Sequence, residues 1–236
     1  MADKVAPFYK DAVNAVDVGL RRYMLNVFSY MSGGLALTAV IAYLASRSQG
    51  LVSLLFSNPL VFFIIALAPL GISIYLSMKI ATISMEKAKI LFFSYAACLG
   101  ISLASIFIIY SGDSVAVAFF TTSSMFLSMV IYGYVTEKDL TGLGSFLIMG
   151  VIGLIIASIV NMFVGSSAFM FVVSALGIVI FVGLTAYDTQ LIKSYYFDSD
   201  TVEISEKKAI FGALRLYLDF INCFLYVLRF LGSRKN

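Results

Sequence analysis

The sequence predicts an all-α polytopic membrane protein, and two observations carry that prediction. The 236-residue chain is 61% hydrophobic and only 12% charged, whereas soluble domains carry roughly 25% charged residues. The apolar residues also form seven stretches, each close to the roughly 20 residues that a membrane-spanning helix needs. We expect these helices at about 24–45, 59–78, 89–110, 115–134, 144–164, 168–191 and 209–231.

The basic residues of the loops predict the orientation of the chain. Cytoplasmic loops of membrane proteins are enriched in Lys and Arg. With a cytoplasmic N-terminus, the outer loops hold Arg47 alone, although seven crossings leave the basic C-terminal residues outside as well. We therefore expect a polar cytoplasmic segment at 1–23, a seven-helix membrane domain at 24–231 and a short basic tail at 232–236.

Local signals predict the ends and contacts of individual helices. Asn58 is suited to cap the second helix and Pro59 to open it, while Pro69 predicts a kink inside it. The charged stretch 192–208 predicts a solvated loop before the last helix. Small residues four positions apart predict close helix packing. The pairs are Gly34 and Thr38, Gly100 and Ala104, and Gly153 and Ala157.

The composition excludes several classes of function. The chain contains no histidine, so Ser-His and Cys-His catalysis and His-ligated zinc or haem are excluded. Cys98 and Cys223 each lie in an apolar stretch, where cysteine behaves as a small buried hydrophobe. The formal charge of +3 is too small to indicate nucleic-acid binding. We expect no cofactor and no enzymatic activity.

Polar residues recur along one face of the last predicted helix. They are spaced by three or four residues, as neighbours on a helical face are. They are Gly212, Arg215, Asp219, Asn222, Tyr226 and Arg229. A polar face inside a membrane avoids lipid and faces the interior of the bundle. Arginines near helix ends also reach the interface without any partner, but that does not account for Asp219 and Asn222.

Asp188 ends the preceding apolar stretch and is the natural partner of Asp219. Two adjacent carboxylates rarely both ionise, so such a pair shares a proton and titrates as one unit. Arg215 and Lys79 are the available counter-charges. The alternative is two acids that are bonded independently to backbone or arginine.

A second polar stripe lies on the third predicted helix. Ser94 and Ser102 belong to it, with Cys98 and Ser105 on the same side. Such serines either line a path, together with Asn222 and Tyr226, or bond back to their own helix.

Four motifs of this sequence resemble motifs of a known family. They are Gly183–Gln190 (Gly-Leu-Thr-Ala-Tyr-Asp-Thr-Gln), Arg215–Asn222 (Arg-Leu-Tyr-Leu-Asp-Phe-Ile-Asn), Arg21–Leu25 with Gly33–Ala42, and Asp139–Ser145. The sequence resembles the Bax inhibitor-1 family, and its bacterial members above all.

The resemblance implies seven helices, with a central last helix surrounded by the other six, in the inner membrane of a bacterium. It also implies a pH-sensitive calcium leak, in which Asp188 and Asp219 form a proton-responsive latch that binds calcium transiently. The family's counter-charge matches Lys79, where relatives often carry arginine. At Arg215 several relatives carry serine. The implied partners are the bilayer, calcium and protons.

Two other functions remain open at this stage. The first is a non-catalytic regulator that binds another membrane protein, such as a membrane protease or a cell-death partner, through Met1–Arg22 or the stretch 192–208. The second is an intramembrane aspartyl protease, which also uses two carboxylates that share a proton. Against it, Asp219 follows Leu216–Leu218 and not a Gly-x-Gly segment.

Overall fold

In the computed structural model, the chain folds into α-helices joined by short connections. The structure describes residues 5–57, 59–233 and 235, without the side chains of 5–17, 55–57, 59 and 62. Its helices are α1 (Val5–Arg47), α2 (Gln49–Ser57), α3 (Pro59–Lys79), α4 (Met85–Ser102), α5 (Ala104–Ile109), α6 (Gly112–Val135), α7 (Thr141–Val164), α8 (Ser167–Ser194) and α9 (Val202–Leu231).

Six segments of the described chain are long and apolar enough to cross a membrane. They are Val18–Arg47, Met85–Ile109, Gly112–Val135, Thr141–Val164, Ser167–Ser194 and Val202–Leu231. The other predicted crossing falls on α3, whose described apolar part, Phe63–Lys79, is shorter. The all-helical membrane fold is therefore confirmed with six candidate crossings, and the seventh crossing stays a prediction.

The boundaries differ from the sequence prediction in several places. Residues 5–23 continue the first helix, and the stretch predicted at 89–110 is interrupted at Leu103 between α4 and α5. The predicted cap Asn58 lies outside the described residues. Helix α3 begins at Pro59 and continues through Pro69.

The loop predicted at 192–208 is confirmed only at 195–201, because helices occupy both of its ends. Helix α8 reaches Ser194 and α9 begins at Val202. The Thr201 side chain accepts a hydrogen bond from the backbone N–H of Ile204, and Glu203 lies in the first turn. Both features stabilise a helix N-terminus, so most of the charges in this stretch belong to α9.

The last helix is the most deeply buried of the candidate spans. In its most apolar window 67% of the residues are buried, against 17–33% in the other five. Helix α9 packs against α8, α1, α6, α4 and α3. At mid-length, the hydroxyls of Tyr217 and Thr38 are 2.6 Å apart, and Thr38 donates to the Ala96 carbonyl at 2.7 Å. These contacts connect α9 to α1 and α4.

Glu206 anchors the start of α9 to the same two helices. Its carboxylate accepts hydrogen bonds from Asn26 Nδ2 at 3.0 Å and from the Tyr30 hydroxyl at 2.6 Å. Lys89 Nζ lies 3.7 Å away. Glu206 precedes Arg215 by nine residues, which is two and a half helical turns. The two charged side chains therefore point to opposite sides of α9. Glu206 bonds to α1 and α4 on one side, and Arg215 bonds to α8 on the other.

Two of the three predicted small-residue pairs lie at close helix contacts. A Cβ atom on Gly34 would come within 2.9 Å of the Phe92 ring, and one on Gly100 within 2.8 Å of the Thr38 carbonyl oxygen. Gly153, by contrast, has nothing within 4 Å of the position of a Cβ atom. The prediction of close packing is thus correct for the first two pairs and wrong for Gly153 with Ala157.

A glycine that the sequence reading missed sets the distance between α6 and α8. A Cβ atom on Gly133 would clash with the backbone carbonyl of Ala186. Gly133→Ala should therefore separate the two helices and lower the free energy of unfolding by about 1–3 kcal/mol. Gly153→Ala is the matched control and should raise it by up to about 1 kcal/mol. Thermal unfolding of both variants in detergent checks this, and equal stabilities would contradict it.

Candidate functional site

The predicted polar face of α9 lies against α8. Ile192 of α8 packs on Gly212, where a Cβ atom would be 2.9 Å away. Toward the other end, the Tyr226 ring lies over Gly177 and stacks on Phe181 with ring centroids 5.8 Å apart. The expected inward orientation is therefore correct for Gly212 and Asp219, which are buried, whereas Arg229 is exposed near the end of the helix. Helix α8 is the helix that this face contacts.

An ion pair between Arg215 and Asp188 lies in the middle of this interface. The guanidinium donates two hydrogen bonds to the carboxylate: Nη2 to Oδ1 at 2.6 Å and Nε to Oδ2 at 3.1 Å. Asp188 is only 4% exposed. Two parallel bonds of this kind are among the strongest that side chains form, and they fix the orientation of both groups.

Asp219 completes the site on the turn of α9 that follows Arg215. It is 5% exposed, and its Oδ2 atom has no hydrogen-bond partner among the described residues. Asp188 and Arg215 both lie within electrostatic reach of it. We refer to Asp188, Arg215 and Asp219 as the aspartate–arginine cluster.

Two threonine hydroxyls near Asp188 on α8 form hydrogen bonds within their own helix and not with the cluster. Thr185 donates to the Phe181 carbonyl at 2.8 Å, and Thr189 donates to the Thr185 carbonyl at 2.7 Å. Both hydroxyls are thus bonded within their own helix, as is common for threonine in apolar helices. The carboxylate of Asp188 is left to interact with α9.

The other residues singled out in the sequence lie away from the cluster. Lys79 is exposed at the end of α3, and within the described chain no ion pair joins it to an acid. Ser102 donates to the Ile65 carbonyl of α3 at 2.7 Å, and no described hydrogen bond joins Ser94 to α8 or α9. Asn222 donates to the Leu218 carbonyl of its own helix at 2.8 Å.

Tyr226 and Arg229 belong to the α8–α9 contact and not to the cluster. The Arg229 guanidinium lies 5.6 Å from the centre of the Tyr226 ring. Its Nη1 atom is 3.4 Å from the sulfur of Met170 on α8. These contacts extend the polar face toward the end of α9 without adding a carboxylate.

A polar cavity that the sequence reading missed lies where α1 meets the start of α9. It has a volume of about 240 Å³. Its lining includes Arg22, Tyr23, Tyr196, Asp198, Asp200 and Glu206. The Tyr23 hydroxyl is buried without a partner in the described chain. The signal that could have found this cavity is the set of aromatic and acidic residues at 195–206.

Two tyrosines interact electrostatically with groups of this cavity and of the cluster. Tyr23 is within electrostatic reach of Asp200 and Tyr195. Burial raises the pKa of the Tyr195 phenol above its ordinary value; the nearby positive charge of Arg215 opposes this and the negative charge of Asp188 adds to it. Tyr23, which lines the cavity, is thus within electrostatic reach of Tyr195, and Tyr195 is within electrostatic reach of the cluster.

Two of the sequence motifs touch each other beside the site. The Gln190 side chain accepts from the backbone N–H of Leu140 at 2.9 Å and donates to the Lys138 carbonyl at 2.8 Å. In the same loop, hydrogen bonds from Thr141 hold the pKa of the Asp139 carboxyl below its ordinary value. The loop between α6 and α7 is thus fastened to the helix that carries Asp188.

The described residues offer no preformed metal site. No group of three or more His, Cys, Asp or Glu side chains within them is placed to hold a metal ion. The cluster supplies two carboxylates and one guanidinium. Such a set can exchange protons and can attract a cation transiently.

Comparison with known proteins shows which family the chain resembles. The family model described as "Inhibitor of apoptosis-promoting Bax1" matches residues 20–236. The inner membrane protein YbhL of Escherichia coli (strain K12) is 43% identical over 227 residues, which cover 95% of this chain and 97% of YbhL. A protein of Rickettsia prowazekii (strain Madrid E) is 48% identical over 220 residues, or 93% of each chain.

A third relative supports the same conclusion. A membrane protein of Streptococcus pyogenes serotype M3 is 33% identical over 218 residues, which cover 92% of this chain and 94% of the relative. Together with the apolar helices, these matches confirm the resemblance stated from the motifs. The chain is therefore a multi-pass integral membrane protein, and it belongs to the Bax inhibitor-1 family.

Proposed function

We propose that this protein is a pH-sensitive cation leak, with calcium as the transported ion, and that the aspartate–arginine cluster gates it. The observation that carries the proposal is the buried Arg215–Asp188 ion pair, with Asp219 beside it, on two facing helices. In this proposal seven helices cross a bacterial inner membrane, the last one is central, and the N-terminus is cytoplasmic. The inner-membrane assignment of YbhL supports the location.

The charges of the cluster balance when it holds one proton. Two carboxylates and one guanidinium are neutral together if either acid is protonated. An unpaired charge in a buried site is costly. Because Arg215 is bonded to Asp188 and one oxygen of Asp219 has no partner, we assign the shared proton to Asp219. In this state the ion pair holds α8 against α9.

A second proton breaks the ion pair. Protonation of Asp188 removes the negative partner of Arg215 and leaves a positive charge in the interface. The stabilisation that the ion pair provides depends on this negative partner and is lost when the partner is neutralised. Asp219, on which the charge of Asp188 acts, is the group that delivers the proton in this proposal. We therefore expect acidification to separate α8 from α9 and to increase flux.

The polar cavity provides the approach on the side of the 195–201 loop. A hydrated cation in the cavity would meet the carboxylates of Asp198, Asp200 and Glu206. Tyr23 of the cavity lining is within electrostatic reach of Tyr195, and Tyr195 is within electrostatic reach of the cluster. Calcium prefers carboxylate oxygens, and an open interface would offer it those of Asp188 and Asp219.

The same geometry disfavours an intramembrane aspartyl protease. Such an enzyme needs two carboxylates that share a proton and act on a water molecule between them. In this chain both oxygens of Asp188 accept hydrogen bonds from Arg215. We propose that the protein is not an enzyme.

A non-catalytic regulator of another membrane protein is the second candidate. The description of the matching family model names a regulatory role, and the charged residues at 198–208 offer a polar surface beside the membrane. Co-purification of a stoichiometric partner, with no flux from the isolated protein, would favour this function over a leak.

The experiment that tests the leak is calcium flux in liposomes. The purified protein is reconstituted into vesicles that contain a calcium indicator, and flux is recorded over a pH series with empty vesicles as the control. We expect flux that rises as the pH falls. Flux equal to that of empty vesicles at every pH would contradict the proposal.

A further inference from the structure

A groove between α1 and α6 is not used by the proposed function. It consists of two adjoining cavities of about 520 and 390 Å³. Leu35, Ala39, Phe119 and Phe220 line both of them. Helix α1 forms one wall and α6 the other, and Phe220, Ile221 and Phe224 of α9 form the floor. Ile106 and Phe107 of α5 also line the second cavity. No charged side chain of the described residues lines either cavity.

The surroundings of the groove determine what can occupy it. Phe120 and Leu127 of α6 line the groove and are exposed, and Val40 of α1 is an exposed apolar residue beside it. Because α1 and α6 are candidate membrane spans, these exposed residues face hydrocarbon. A buried water needs two to four polar partners. The lining offers few: the hydroxyls of Ser32 and Ser123 in one cavity, and in the other that of Thr38, which is already bonded to Tyr217 and Ala96.

We propose that the groove binds the acyl chain of a bilayer lipid. An unfilled apolar groove at membrane depth forfeits the dispersion contacts of its lining, and the surrounding lipid supplies flexible chains that restore them. The bound chain would touch α9 at Phe220, which directly follows Asp219 in the sequence. Lipid would thus pack against the helix that carries the aspartate–arginine cluster, whichever function that cluster has.

The absence of tryptophan from the sequence makes the proposal directly testable. Phe220→Trp places a single tryptophan fluorophore on the floor of the groove, where the Phe220 side chain is only 4% exposed. Phe163→Trp is the control for open contact with lipid, because Phe163 is 87% exposed. Phe92→Trp is the control for the protein interior, because Phe92 is fully buried away from the groove.

Each variant is reconstituted in dioleoylphosphatidylcholine vesicles with and without bromine atoms on the acyl chains, and tryptophan quenching by the brominated lipid is compared. We expect quenching in Phe220→Trp that approaches that of Phe163→Trp, with little quenching in Phe92→Trp. Quenching in Phe220→Trp as low as in Phe92→Trp would overturn the proposal. A second copy of the chain in the groove would give this result, because it would exclude the brominated lipid. Phe224→Trp, also on the floor, provides the same readout if Phe220→Trp does not fold.

A plugging variant distinguishes the groove from general contact with lipid. Ala39→Phe enlarges a small residue that lines both cavities, and it should reduce the quenching of Phe220→Trp by at least half. Val40→Phe, on the outer surface of the same helix, should leave it unchanged. Equal quenching with and without Ala39→Phe would also overturn the proposal.

Discussion

Arg215→Gln should lower the free energy of unfolding by about 3–5 kcal/mol, because removing one partner of a buried ion pair leaves the other charge uncompensated. Asp188, at 4% exposure, would lose both hydrogen bonds that it accepts from the guanidinium. The Arg215 side chain is 28% exposed, so we expect a value near the lower end of this range. Unfolding of the purified protein in detergent, by heat or by a denaturing detergent, measures the effect.

Lys79→Gln is the matched control for Arg215→Gln. It removes the same charge at the position that the family resemblance assigns to the counter-charge, but Lys79 is exposed at the end of α3. Exposed substitutions change stability by roughly 0.5 kcal/mol or less. Arg215→Lys should fall between the two, since lysine keeps the charge and loses the bidentate geometry. A loss from Lys79→Gln as large as that from Arg215→Gln would contradict this assignment of the counter-charge.

Asp188→Asn should raise calcium flux at neutral pH by about tenfold or more, and it should remove most of the dependence of flux on pH. The substitution breaks the ion pair permanently, as protonation is proposed to do. A change of about 1.4 kcal/mol shifts a two-state equilibrium tenfold, and loss of a buried ion pair exceeds that value. Flux in liposomes at two pH values measures the effect.

Glu137→Gln is the control for Asp188→Asn. Glu137 lies exposed in the loop between α6 and α7, so its loss should leave the flux and its pH response as in the wild type. The double variant Asp188→Asn with Arg215→Gln should unfold at a higher temperature than Arg215→Gln alone, because it leaves no uncompensated charge. Flux in Asp188→Asn as low as in the wild type at neutral pH would disprove the gating role of the ion pair.

Helices were predicted correctly where helical periodicity and the length of the apolar stretch agree. The prediction failed where a run of charged residues was interpreted as a solvated loop. The residues Glu203, Glu206, Lys207 and Lys208 indicated a loop, yet they lie on α9. Glu206 is satisfied there by Asn26 and Tyr30 of α1 and by Lys89 of α4. These partners are more than 110 positions away in the sequence, so a local pattern cannot reveal them.

The candidate site was predictable in part. The spacing of Arg215 and Asp219 showed that both lie on one face, and Asp188 was the one other acid in comparable surroundings. The choice between Arg215 and Lys79 could not be made from the sequence, because it depends on how α3, α8 and α9 pack together. The serines of α4 show the same limit: Ser102 bonds to the backbone of α3, a contact that no spacing within α4 predicts.

The most direct test of the proposed gating is the pH dependence of calcium flux in Asp219→Asn beside the wild type. The introduced amide is uncharged and cannot hold the shared proton. It can donate a hydrogen bond to the Asp188 carboxylate, and this bond keeps Asp188 ionised and paired with Arg215. Flux in liposomes is measured for both proteins over the same pH series. We expect the rise of flux on acidification to be lost in Asp219→Asn or moved to markedly lower pH, while an identical pH response in the two proteins would contradict gating by the aspartate–arginine cluster.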